Sequence, residues 1–189
     1  GEGVDPESFR PDFRKANVNQ GLTETGIAFV QEMERLGMIV DVSHLSDAGF
    51  MDVLRVTKKP FVASHSNARA VCSWARNLTD DMIRLLAERG GVTGLNFCPA
   101  FLTDVPDGEA TYGSIAAIVE HAKHIVNVGG TDCLGLGTDF DGIKTHDELP
   151  DASYMPLLID AFGKAGFTSS QVDKILLGNV LRVYKEVLE

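Results

Sequence analysis

The chain predicts an α/β fold with a parallel sheet, and three features carry that expectation. Short β-rich runs alternate four times with longer amphipathic segments between residues 21 and 140. The β-rich runs are apolar at consecutive positions, as strands covered on both faces are. The intervening segments open on Ser, Thr or Asp, and several end on Gly, the usual punctuation of helices. Parallel neighbours need crossover connections, and the crossing helices then cover the sheet.

Gly21–Gly37 sets Ile27, Val30, Met33 and Leu36 at steps of three and predicts an amphipathic helix with Thr23 or Thr25 as cap. Met38–His44 is rich in β-branched residues and predicts a buried strand. Ser46 is positioned to cap a helix from Asp47 to about Thr57, which Lys59-Pro60 breaks. The unit repeats with Pro60–Ser66 as strand and Leu78–Gly91 as helix, capped by Thr79 or Asp80. It repeats again with Val92–Phe97 and Gly113–Gly130, and a fourth strand follows at Cys133–Phe140. Two closing helices are expected, at about Ser153–Lys164 and Ser169–Leu188. Residues 1–20, with two prolines and mixed charge, read as a linker or loop, and residues 21–189 as one folded unit.

The chain has 189 residues, 44% of them hydrophobic, enough to bury one substantial core. It carries 17 Lys+Arg against 27 Asp+Glu, a net charge of -10 without a basic cluster, so nucleic acid and anionic membranes are not expected partners. Its apolar runs fall well short of the roughly 20 residues that span a bilayer. Cys72, Cys98 and Cys133 are widely spaced with no CxxC pair, which favours free thiols in a reducing cytoplasm over a disulfide or thiolate metal site.

The strand ends carry the chemistry. The first two close on DVSH and VASH, placing His44 and His65, and the fourth closes on GTDFDG, placing Asp139. Carboxyl ends of parallel strands line the site in such folds. The two histidines are 65 − 44 = 21 residues apart, about one strand–helix–strand step, so they are expected on neighbouring strands about 4.8 Å apart, within reach of one metal ion. One strand-end histidine is more often structural. Two at equivalent positions with an aspartate at a third favour a site, though they name no metal.

The segments GLTETGIAFVQEMERLGMIVDVSHLS, ASHSNARAVCSWARNLTDDMI, GVTGLNF and GTDFDGI closely resemble the renal, or membrane, dipeptidase family, the M19 metallopeptidases. The resemblance runs from Gly21 to Glu189 and implies a (β/α)8 TIM barrel, to which this chain supplies about the last four β/α units. It implies a zinc-dependent dipeptidase with two zinc ions per complete site, of which His44 and His65 bind one. It further implies that Arg76 binds the free carboxylate of a dipeptide substrate and that Asp139 handles the proton of the attacking water.

The resemblance implies that the family's remaining metal ligands belong to an amino-terminal half, which none of these segments matches, and such a barrel takes roughly 250 residues. The isolated chain is therefore expected to be inactive, and a homo-oligomer or a separate amino-terminal half chain is expected to cover its open sheet. Val40, Val42, Leu134 and Leu136 are the residues expected at that contact. A non-catalytic half-barrel short of ligands is the alternative reading. His121 and His124, three apart on a helix, are expected to be supporting residues, His146 a solvated loop histidine rather than a substrate contact on the same rim, and Asp141 part of a turn with Gly142.

Overall fold

Four parallel segments run side by side in chain order, as successive strand–helix units require. The computed structural model describes residues 19–106 and 109–188, so the expected linker at residues 1–20 lies outside the described residues except for its last two positions. β1 (Val62–Ala63), β2 (Val92–Leu95) and β3 (Leu134–Leu136) form the sheet, with Thr93 paired to Ala63 on one side and Leu134 on the other. The expected strand at Met38–His44 is reduced to one parallel bridge between Asp41 and Val62. Two hydrogen bonds support it, Val42 N–H to the Val62 carbonyl and Val62 N–H to the Val40 carbonyl. Beyond Val42 the ladder stops because the Asp41 carboxylate takes the backbone N–H groups of Ser43 and Ser64.

Seven α-helices surround the sheet: α1 (Glu24–Arg35), α2 (Asp47–Val56), α3 (Asp80–Glu88), α4 (Ile115–Gly129), α5 (Met155–Lys164), α6 (Ser169–Asp173) and α7 (Asn179–Leu188) among the described residues. Thr23, Ser46, Thr79, Ser114 and Thr168 each accept a backbone N–H and start α1, α2, α3, α4 and α6 respectively. Thr25 and Asp80 lie inside their helices rather than capping them. The final helix is interrupted by a π-helical turn at Lys174–Gly178. Buried Asn179 follows it and donates to the carbonyls of Thr131 and Leu134, which ties the turn to the entrance of β3.

The two sheet faces differ. On one, Val40, Val42, Ala63 and Leu134 join Phe50, Val53, Ile83, Leu86, Ile118 and Ile125 in the main core. Each large side chain buried there contributes about 1.5–3 kcal/mol relative to exposure. On the other, Val62 and Val92 meet Val180, Val183 and Val187 of α7 beside a cavity of about 370 Å³ that Ile39, Leu136 and Tyr184 also line.

The contact residues expected from sequence are corrected by this arrangement. Val40, Val42 and Leu134 are 6%, 3% and 0% exposed, already covered by the chain's own helices. Side chains alternate along a strand, so the less covered face, beside α7, carries Ile39 and Val62, with Val92 buried against that helix; of the expected residues, Leu136 lines the cavity there. In α1 the expected apolar face holds at Val30, which is buried, and at Met33, which packs against the core, and fails at Leu36, which follows the helix as its C-cap and is exposed.

Candidate active site

His44 and His65 leave the ends of adjacent parallel segments and turn toward each other. Their Nε2 atoms are 2.8 Å apart and their ring centroids 4.8 Å apart. Backbone crowding fixes the second ring: a Cβ at Gly94 or Gly137 would strike the Ser64 carbonyl oxygen, so only glycine lets β2 and the end of β3 approach the Ser64–His65 peptide this closely. Behind the ring, His65 Nδ1 lies 2.7 Å from Ser64 Oγ, and the Ser64 hydroxyl donates to Asp41 Oδ2 at 2.5 Å. The His65 N–H donates to Ser43 Oγ at 2.9 Å.

Burial, then the Arg76 guanidinium and the neighbouring His65, hold His44 below its ordinary pKa against the pull of Asp41 and Asp139. Burial and Arg76 act on His65 in the same direction. Both shifts favour the neutral imidazole, the state in which histidines ligate metals. For Asp41, burial pushes the carboxyl up, but hydrogen bonds from Ser64 and Ser43 outweigh it and keep the pKa below the usual range.

Arg76 sits on the loop between β1 and α3. Arg69 secures that loop with a bidentate pair to Asp47, both contacts at 2.7 Å, and donates to the carbonyls of Asn77 and Ala75. Buried Asn77 donates to the carbonyls of Cys72 and Phe101. The Arg76 guanidinium lies over the Phe101 ring at 5.5 Å and points one nitrogen at Ser66 Oγ, 3.4 Å away. Among the described residues no carboxylate forms an ion pair with it, although it feels the charges of Asp139 and Asp41. Burial draws it below its ordinary value, yet an arginine stays charged at neutral pH.

Asp139 follows β3 with φ at 61°, the left-handed region that aspartate tolerates at a cost of about 1–2 kcal/mol. Its carbonyl accepts the N–H groups of Gly142 and Ile143, which closes the turn expected at Asp141-Gly142. Its carboxylate accepts from Asn96 Nδ2 at 3.2 Å. Asn96 is fully buried at the end of β2, gives a second amide contact to the His65 carbonyl, and joins Asn67 through the Asn67 Oδ1 to Asn96 N–H bond. The sequence reading passed over Asn96, Asp41 and Ser64. A signal for Asn96 exists in GLNF, where a polar residue closes the third strand just as His44, His65 and Asp139 close the others.

The other histidines separate cleanly. His121 is fully buried; its Nδ1 accepts the Ala68 N–H and its Nε2 faces the Leu102 carbonyl. Burial pushes its pKa down to about 4. His124 contacts Asp80 at 2.7 Å and so anchors the start of α3. His146 is not solvated as expected: it is 7% exposed, and neither ring nitrogen has a hydrogen-bond partner among the described residues. It packs beside Gly113 on a cavity of about 710 Å³ that Cys98, Tyr112 and Lys144 also line.

A metal ion suits the histidine pair in part. Two nitrogens across a tetrahedral zinc stand about 3.3 Å apart, so seating one between His44 and His65 parts the rings by about half an ångström from their 2.8 Å. The hydrogen-bonded Nδ1 of His65 is the support a metal-binding imidazole normally has. Among the described residues, however, no group of three or more His, Cys, Asp or Glu side chains is placed to hold a metal. The pair forms one side of a site.

Comparison with known proteins gives a consistent picture. The family described as membrane dipeptidase (peptidase family M19) matches residues 6–189. A Klebsiella pneumoniae protein from the pqqA 5′ region is 41% identical over 168 residues, 88% of this chain and 61% of its own length. Dipeptidase tcpJ of Claviceps purpurea is 38% identical over 174 residues, 92% of this chain and 40% of its own. A metallo peptidase from Rhodobacter sphaeroides, solved with a phosphinate mimic of the dipeptide L-Ala-D-Ala, superposes with a TM-score of 0.84 at 35% identity, covering 89% of this chain and 48% of that one. The chain thus spans about half the length of the relatives it matches. Among the described residues, no helix is long and apolar enough to cross a membrane.

Proposed function

Because the chain belongs to the membrane dipeptidase family, peptidase family M19, we propose that it carries the carboxyl-terminal side of a zinc-dependent dipeptidase site, about the last four units of a (β/α)8 barrel. The observation that carries this reading is the convergence of His44 and His65 through Nε2, with Arg76 and Asp139 close enough to shift their titration. His44 and His65 would hold one zinc, and the complete site would take further ligands from outside the described residues. Zinc, when bound, supplies Lewis-acid polarisation and lowers the pKa of water.

The chain's own groups do the remaining work. Arg76 pairs with the substrate's terminal carboxylate, for which its planar fork suits it, as does the absence of an ion-paired carboxylate among the described residues. Asp139, oriented by Asn96, takes the proton of the attacking water and returns it to the leaving amine. The L-Ala-D-Ala mimic held by the Rhodobacter sphaeroides relative supports a dipeptide as substrate.

The less covered sheet face beside α7 and the exposed stripe of Leu181, Tyr184 and Leu188 are covered in this reading by the remaining barrel strands, on a longer chain, a separate half chain or another copy. Three free thiols fit a reducing cytoplasm. The test compares zinc content and dipeptide hydrolysis for the 189-residue chain alone and for a chain completed with an M19 amino-terminal half. The chain alone is expected to show little turnover and the completed one to hydrolyse dipeptides. Equal turnover by both, or none by a folded, zinc-loaded completed enzyme, contradicts the proposal.

A further inference from the structure

Three hydrogen-bond donors converge on the Asp41 carboxylate. The N–H groups of Ser43 and Ser64 reach Oδ1 at 3.0 and 2.9 Å, and the Ser64 hydroxyl reaches Oδ2 at 2.5 Å. A carboxyl group met by three donors is an ionised acceptor with no proton of its own to give. The single proton of Ser64 is therefore committed to Asp41.

The consequence falls on the next bond. Ser64 Oγ lies 2.7 Å from His65 Nδ1, and with its proton spent it can only accept there. Nδ1 must carry hydrogen, and in a neutral imidazole Nε2 is then a bare lone pair. The nitrogen left bare is the one facing His44. In the metal-free chain His44 Nε2–H donates to it, and the 2.8 Å separation suits such a bond.

We propose that Asp41 and Ser64 are positioning residues that fix His65 as its Nδ1–H tautomer and present its Nε2 lone pair at the metal position. This rests on the reading of His65 as a ligand. The device is local: MIVDVSH and FVASH lie side by side, so the Asp41–Val62 bridge brings the carboxylate of one beside the Ser64-His65 step of the other. Metal ligation by histidine commonly depends on such a partner at its other nitrogen, and losing it weakens binding about 10–100-fold.

Long-range ¹H–¹⁵N correlation spectra of the metal-free 189-residue chain read the tautomer directly, and titration with zinc ion alone reads the affinity. The wild-type chain should show His65 protonated at Nδ1. Ser64→Ala, which leaves both backbone bonds to Asp41 intact, should mix the tautomers and weaken zinc about 10–100-fold, while Ser64→Thr should restore both. Asp41→Asn turns an amide donor toward Ser64 and frees its hydroxyl to donate to Nδ1, so His65 should switch to Nε2–H. A wild-type His65 protonated at Nε2, or a folded Ser64→Ala chain with tautomer and zinc affinity unchanged, overturns the proposal. Zinc that leaves the His44 and His65 signals unmoved overturns the ligand reading instead, and the metal-free tautomer still decides the relay.

Discussion

Two pairs of histidines in this chain show how different environments divide one residue type between function and scaffold. His121 and His124 lie on α4 with ring nitrogens engaged by the protein itself: Ala68 N–H, the Leu102 carbonyl and the Asp80 carboxylate. His44 and His65 lie at strand ends with their Nε2 atoms turned on each other. Both pairs are close in space. The difference is what Nε2 touches: in His121 and His124 it meets a carbonyl or a carboxylate of the fold and the ring is a brace, whereas in His44 and His65 it faces a second imidazole, and the pair is built to share something between them.

That contrast is sharpest under substitution. His65→Ala in the enzyme completed with the rest of the barrel should reduce dipeptide turnover by about 10³-fold, several kcal/mol of lost metal assistance. It should cost the 189-residue chain little stability, because the ring is part-exposed. Steady-state kinetics beside chemical denaturation checks both halves of the expectation. His121→Ala should do the reverse. It strands the Ala68 N–H in a buried position and leaves a cavity, costing about 3 kcal/mol by denaturant melts, with zinc binding unchanged. An equal effect of both variants on zinc binding would erase the distinction.

The same brace has a pH signature. The pKa of His121 is about 4 in the folded chain against an ordinary 6.5, so between those values the unfolded chain binds a proton that the folded chain does not. Its contribution is fully present above pH 6.5 and is lost as pH falls toward 4. From pH 7 to 5 this amounts to about 2 kcal/mol, and His121→Gln should flatten that part of the stability profile. A smaller effect is expected at the substrate side. Arg76→Lys keeps the charge but loses the planar fork, so kcat/KM should fall about tenfold, mainly through KM. A lysine variant with wild-type KM for dipeptides removes Arg76 from carboxylate binding.

The sequence showed most of what local chemistry controls. Caps at Thr23, Ser46 and Thr79 and the order of parallel units depend on short-range pattern, and the strand-end histidines follow from unit length. What it hid depends on tertiary context. Side-chain parity put Val40 and Val42 under the helices, because a strand apolar on both faces gives no alternation from which to choose a side. The Met38–His44 strand shrank to a bridge once Asp41 captured its neighbours' donors. Asn96 and Ser64 read as ordinary polar residues until the fold sets one against Asp139 and the other against His65. The π-helical turn before Asn179 has no sequence mark comparable to a cap.

The central claim is that His44 and His65 jointly hold a metal. Anomalous diffraction at the zinc edge, on crystals of the chain grown with zinc, tests it most directly. The account predicts a peak about 2.0–2.1 Å from both Nε2 atoms, with the rings parted and His65 Nδ1 still on Ser64. A zinc-loaded crystal with no density between the two rings, and their nitrogens still in contact, contradicts it.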